Sequence, residues 1–209
     1  MSIKIKKFLE KIAGEKAPGP TPTFSVLHIL RTIELIAEKP TGRSRLAEKL
    51  RVGHGAARTI INRLKNAGLI STSKDGCKLT GKGMKIWEEY RKIFSKKIEI
   101  ERNKLIPANY NFAVLAKNCG HKIKSGIEQR DAAVKVGAKG AAVIVYKNGR
   151  FTIPSVSDDT SRDFPELTEQ LIKLLQPNEN DVIVVGGADT VYMAEYGTIA
   201  ATWTLINDC

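Results

Sequence analysis

Gly55, Arg58, Thr59, Asn62, Arg63 and Asn66 are donors, acceptors and a small residue at helical spacing, the types that hydrogen-bond base edges in a DNA major groove. They gather on one side because Ala57, Ile60, Ile61 and Leu64 recur as a single apolar stripe. That stripe predicts a helix from Ala56 to Ala67 and leaves the polar residues on, or flanking, its opposite face. His54 stands just before the helix. Arginine can bond guanine through two parallel hydrogen bonds and asparagine can do the same for adenine, so such a face could read sequence.

The neighbouring elements are those that would present this helix. Arg43 to Leu50 reads as a short helix burying Leu46, Ala47 and Leu50, closed by the Val52-Gly53 turn. Phe24 to Lys39 repeats apolar residues at 24, 27, 30, 33 and 36, and Pro40 stops it. Gly68 ends the second helix of the pair, where a left-handed residue costs least. Leu69 to Ser73 then looks extended, Lys74-Asp75-Gly76 is a hairpin turn signal, and Cys77 to Thr80 is the returning strand. Residues 42 to 80 therefore read as a winged helix-turn-helix. The run Asn62 to Ile70, followed by Lys78 to Gly83, resembles the recognition helix, wing and next helix of many prokaryotic winged-helix regulators. The resemblance implies double-stranded DNA as partner. Arg58, Thr59, Asn62 and Arg63 would then lie nearest the bases, with His54 a further DNA-binding residue ahead of the helix and Arg43, Arg45, Lys74 and Lys78 on phosphates.

Charge is distributed in keeping with this. Residues 1 to 104 hold 24 Lys+Arg and 10 Asp+Glu, a net of +14, while residues 105 to 209 hold 10 and 12, a net of −2, together the chain's +12. A basic module gains affinity for nucleic acid by releasing counterions, and a near-neutral module beside it suggests a separate task. No apolar run approaches the ~20 residues a membrane helix needs, and no cleavable leader is visible, so the expectation is a cytoplasmic protein without membrane association. Cys77, Cys119 and Cys209 are odd in number and widely spaced, which suggests neither a disulfide framework nor a zinc knuckle.

Ahead of the winged helix, residues 1 to 16 form a basic segment with Ile5, Phe8, Leu9 and Ile12 at helical spacing, which could touch a membrane, a partner subunit or its own core; so short a stretch with one aromatic anchors weakly to lipid, and packing on the protein itself is expected. Residues 17 to 23 are a proline-rich connector. After the wing, Gly83 to Lys97 reads as a helix carrying Ile86, Trp87, Tyr90, Ile93 and Phe94 along one side, either core or the contact of a homodimer. Ile98 to Glu101 switches to period two. The expected division is thus 1–104, with the winged-helix core at 23–97, and 105–209.

The second half predicts strand 110–117, helix 125–137, strands 141–146 and 150–154 joined at Lys147-Asn148-Gly149, helix 164–175, strand 181–185 and helix 190–206. The fold class is α+β. This half is a small α/β sandwich in the ferredoxin-like order β-α-β-β-α-β with an extra C-terminal helix, and a small open three-layer sheet is the competing arrangement.

Chemistry in this half is sparse. Ser125 and Glu128 have the spacing of a reciprocal helix cap, followed by Arg130 and Asp131, which could face an anion at the helix start or simply pair on the surface. Strand 182–185 runs into Gly186, Gly187, Ala188, Asp189 and Thr190. Glycines there could admit a ligand backbone-close or merely make a tight turn into the next helix. Arg130, Asp131, Gly186, Gly187, Asp189 and Thr190 are the candidate ligand-binding residues. No phosphate-binding glycine motif, nucleophile elbow or zinc-protease motif occurs, and no catalytic residue, cofactor or metal site is expected. Cys119 and His121 lack a second ligand pair, and Asp158-Asp159 reads as solvated.

With the winged helix, the Ser125 to Ala141 run and Asp181 to Ala188 in view, the whole chain resembles an archaeal family. Its members join an N-terminal winged helix to a C-terminal α/β domain of unassigned function and are described as transcriptional regulators. The resemblance implies a non-enzymatic, dimeric DNA-binding regulator whose second domain senses a small-molecule effector or mediates assembly. A small-molecule or nucleotide-binding enzyme with a fused winged helix is the alternative.

Overall fold

The computed structural model describes residues 3–14 and 22–207, and the chain divides into two units, Met1–Tyr90 and Arg91–Cys209. In the first, α1 (Ile3–Gly14) precedes α2 (Val26–Glu38), α3 (Arg43–Leu50) and α4 (His54–Asn66). A hairpin of β1 (Ile70–Ser73) and β2 (Gly76–Leu79) follows, then α5 (Gly81–Ile93). Most of the predicted connector 17–23 lies outside the described residues.

Each helix of this unit starts and stops for a local reason. Ser25 caps α2 and is itself capped by His28, whose Nδ1 accepts the Ser25 amide at 3.0 Å. Arg51, in left-handed geometry at φ 52°, closes α3, and Gly68 at φ 72° follows α4. The predicted stripes are the buried ones. Leu46 and Leu50, Ile60 and Leu64, Leu27, Ile33 and Leu69 all lose nearly all their exposure, each worth about 1.5–3 kcal/mol of burial. The wing pairs Ile70 with Leu79 through Ser73 with Gly76, and Thr41 adds a bridge to Cys77 on its far side. Thr80 donates its hydroxyl to the Gly68 carbonyl at 2.6 Å, which ties the wing's return to the end of α4.

The division falls after Tyr90, earlier than the 104/105 expected. The helix after the wing ends at Ile93, and Phe94–Ile100 becomes β3, an edge strand of the second unit's sheet. An aromatic stripe carried on past the helix end concealed this change, because Ile93 and Phe94 satisfy both periods.

The second unit continues with β4 (Tyr110–Ala116), α6 (Ile127–Lys135), β5 (Gly140–Lys147), β6 (Arg150–Thr152), the single turn α7 (Thr160–Asp163), α8 (Pro165–Leu175), β7 (Val182–Ala188) and α9 (Val191–Thr204). The expected succession of strands and helices is present, with β3 and α7 added. Its spatial arrangement differs. The five strands lie in the order β3-β4-β7-β5-β6, every neighbour antiparallel. A ferredoxin-like sheet sets the first and third of its four strands at the centre. Here the second and fourth, β5 and β7, are central. All seven residues of β7 are buried, as a strand covered on both faces requires, while β6 is three residues long and is followed closely by Pro154, which suits an edge.

Helices cover both faces, so the layering is that of the competing three-layer arrangement. Ile183 and Val185 of β7 join Ala113, Leu115 and Ile144 in a core closed by Leu167, Leu171 and Leu175 of α8. Residues of opposite parity, with Phe112 and Ala188, meet Ala194 of α9. Among the described residues no helix is long and apolar enough to cross a membrane.

Candidate nucleic-acid interface

On α4 the apolar side is fully committed: Ala57, Ile60, Ile61 and Leu64 are buried. His54, Arg58 and Asn62, spaced by four, are exposed along one line, flanked by exposed Gly55, Lys65 and Asn66. Thr59 lies at the edge, half-buried, with its hydroxyl hydrogen committed to the Gly55 carbonyl at 3.0 Å. The structure thus leaves a polar ridge about three turns long that an aqueous or nucleic-acid partner can reach.

Arg63 does not belong to that ridge. Its exposure is 6%, and its guanidinium donates to the carbonyls of Ile12 at 3.1 Å and Ala13 at 2.7 Å while lying 5.1 Å from the centre of the Phe24 ring. On a helical wheel Arg63 sits at the border between the polar and apolar faces, and α1 closes over that border. The guanidinium satisfies carbonyls at the C-terminal end of α1, where a cation is favoured. Its expected place near the bases is therefore withdrawn.

The candidate phosphate contacts are exposed as anticipated. Arg43 and Arg45 lie on α3, Lys74 in the hairpin turn and Lys78 on β2. Lys78 stands 3.5 Å from Asp75, but both side chains are at least half exposed, and so solvated a pair holds the lysine only weakly. Divided where the structure divides, residues 1–90 carry 18 Lys+Arg and 8 Asp+Glu, a net of +10, and residues 91–209 carry 16 and 14, a net of +2. The charge asymmetry survives the shifted boundary.

The ligand-binding candidates of the second unit have the following places in the fold. A Cβ on Gly186 would stand 2.3 Å from the Thr198 hydroxyl of α9, and one on Gly187 would stand 2.6 Å from the Asn111 amide and 2.7 Å from Ile106. Both glycines lie inside β7 rather than beyond its end, and their lack of a side chain permits close packing of helix and loop on the sheet. Asp189 pairs with Lys139 at 2.6 Å and accepts from Asn109, and Thr190 caps α9 by accepting from the Met193 amide. Arg130 bonds its neighbour Asp131 on the exposed side of α6. The α6 start is set by Gly126 in left-handed geometry, with no side-chain cap, so the anticipated Ser125-Glu128 box is not formed. A cavity of about 100 Å³ in this unit is lined by Arg102, Asp163, Glu166 and neighbouring residues, none of them among the six candidates. No group of acids, histidines and cysteines suited to a metal occurs among the described residues.

Three roles escaped the sequence. Arg63 depends on a partner some fifty residues away, for which no local signal exists. Asp181, buried at 3%, accepts from the amides of Asn118 and Asn178, each at 2.9 Å, and so fastens the loop after β4 to the loop before β7. Its place just ahead of an apolar strand was the available hint. His28 completes the α2 cap, and burial holds its imidazole below the ordinary value. A serine three residues before it carried that signal.

Comparison with known proteins also divides the chain in two. Residues 25–94 match the CggR N-terminal DNA binding domain, and residues 106–205 match a domain of unknown function, DUF4443. The solved structure of a hypothetical protein from Pyrococcus horikoshii OT3 is 28% identical, covers 88% of this chain and 94% of its own, and superposes with a TM-score of 0.70. The structure of Lactococcus lactis ZitR is 22% identical over 43% of this chain and 70% of its own, with a TM-score of 0.31. No curated protein matches. The first unit carries a helical DNA-binding domain similar to that of CggR, joined to a sheet domain.

Proposed function

We propose that this protein is a transcriptional regulator that binds duplex DNA as a homodimer, with α4 in the major groove and the β1-β2 wing against the flanking backbone. The observation that carries the reading is the exposed His54, Arg58 and Asn62 ridge on a helix inside the stretch that matches a DNA-binding domain. Arg58 and Asn62 reach base edges, with His54 and Thr59 beside them, and Arg43, Arg45, Lys74 and Lys78 hold phosphates. The sheet domain senses a small-molecule effector or holds the subunits together, and the protein acts without catalysis in the cytoplasm.

The test is selection of genomic DNA fragments by the purified protein at physiological salt, followed by titration of the preferred fragment with variants. Arg58→Ala should cost about 1–3 kcal/mol on the preferred site and relax discrimination, whereas Lys74→Ala should weaken every duplex alike. Failure to enrich any fragment, or equal sequence-blind losses from both variants, would overturn the reading.

A further inference from the structure

From its pattern α1 is expected to pack on the protein, yet its outward side is mainly cationic, with Glu10 as an exposed acid beside the lysines. Lys4, Lys7 and Lys11 are exposed and fall within a narrow stripe at spacings of three and four, while Lys6 turns inward at 5% exposure and pairs with Glu10 at 3.8 Å. The helix is also fixed against α4. Arg63 bonds its last carbonyls, and Lys82 of α5 lies 4.8 Å from the centre of the Phe8 ring while donating to the Ala67 carbonyl at 2.9 Å. A groove is lined on one wall by Phe8 and Lys11 and on the other by Asn66 and Ala67. Lys11, the last of the three, therefore borders the C-terminal end of the exposed α4 ridge, and Lys7 and Lys4 continue the stripe back along α1.

We infer that α1 is a second DNA-contacting element. With α4 in the groove, Lys4, Lys7 and Lys11 meet the phosphates of one strand just beyond the bases that α4 addresses, extending the footprint on that flank. This rests on the reading of α4 given above. Lysine suits the role because a mobile point charge follows a phosphate backbone without demanding a sequence, and a rigid helix presents three such charges about a turn apart. The buried Arg63 then acts on DNA only through α1, as its anchor.

The experiment compares the full chain with K4Q/K7Q/K11Q and with K117Q/K135Q/K147Q, which removes the same charge from exposed positions of the second unit. Affinity for the selected duplex is measured across a salt series, and the footprint is mapped by hydroxyl radicals. The α1 variant should show a salt slope shallower by about 2–3 and a footprint shortened on one side, because each lost phosphate contact removes ~0.9 from the slope. The control variant should match the wild type. If the two variants behave alike, or the footprint keeps its length, α1 is not a contact, and a preferred site retained by all three proteins would leave the role of α4 standing. A wild-type protein that prefers no site would remove both inferences together.

Discussion

The two units treat their polar residues in opposite ways. In the first, the core is complete without His54, Arg58 and Asn62, which remain exposed along α4. In the second, several polar and glycine residues that looked functional take part in packing, capping or pairing, while Arg130 and Asp131 pair with each other in solvent. Gly186 admits α9, Thr190 caps it, Asp189 pairs with Lys139, and Asp181 fastens two loops. A polar residue signals function when folding has no use for it, and spacing alone does not reveal that. Arg58 and Arg63, five residues apart on one helix, are the sharpest case, since only one of them is reachable.

The comparison can be broken most forcefully at the sheet. Gly186→Ala places a methyl 2.3 Å from the Thr198 hydroxyl and 3.2 Å from its Cα, within a helix that cannot easily withdraw. It should destabilise the second unit by about 1–3 kcal/mol or more, read as a lowered denaturation midpoint. An unchanged midpoint would return the glycine pair to the list of ligand-site candidates. Next in size, Arg63→Ala should cost about 1.5–3 kcal/mol by removing charged hydrogen bonds to the end of α1, and it should render α1 sensitive to proteolysis. Equal stability of Arg63→Ala and wild type would mean that its guanidinium is not structural.

The smallest effect is a pH dependence. Burial keeps the folded His28 imidazole below its ordinary value, and its neutral Nδ1 accepts the Ser25 amide. The unfolded chain takes up a proton at this residue near pH 6.5, whereas the folded chain does so only at lower pH. The stabilisation is therefore complete above that value and declines as pH falls from 6.5 through the lowered folded value. The melting temperature should drop between pH 7.5 and 5, and His28→Gln, which retains a cap acceptor but does not titrate there, should flatten the profile. A slope unaffected by His28→Gln would assign the pH response to other groups.

How much of this was legible follows the range of each interaction. The helix pair, the wing and the Gly68 stop are written in residues within a few positions of one another, so the first unit could be read almost element by element. The order of strands in the sheet is not local. The buried run of β7 marked a central strand, but the partners it would take, and the enlistment of Phe94–Ile100 as a fifth strand, depend on closing long loops. The anchor on Arg63 and the packing against Gly186 escaped for the same reason, since each needs a partner that only the folded chain supplies.

The margins of that sheet have a further consequence. At one side β3 carries a register irregularity between Phe94 and Lys96, with Lys96, Lys97 and Glu99 along its length, and at the other β6 offers three residues before the chain turns away. Unsatisfied amides at a strand border would otherwise invite another molecule to continue the ladder. Kinked and ionised on one flank and curtailed on the other, the sheet offers an incoming strand a poor template at either border.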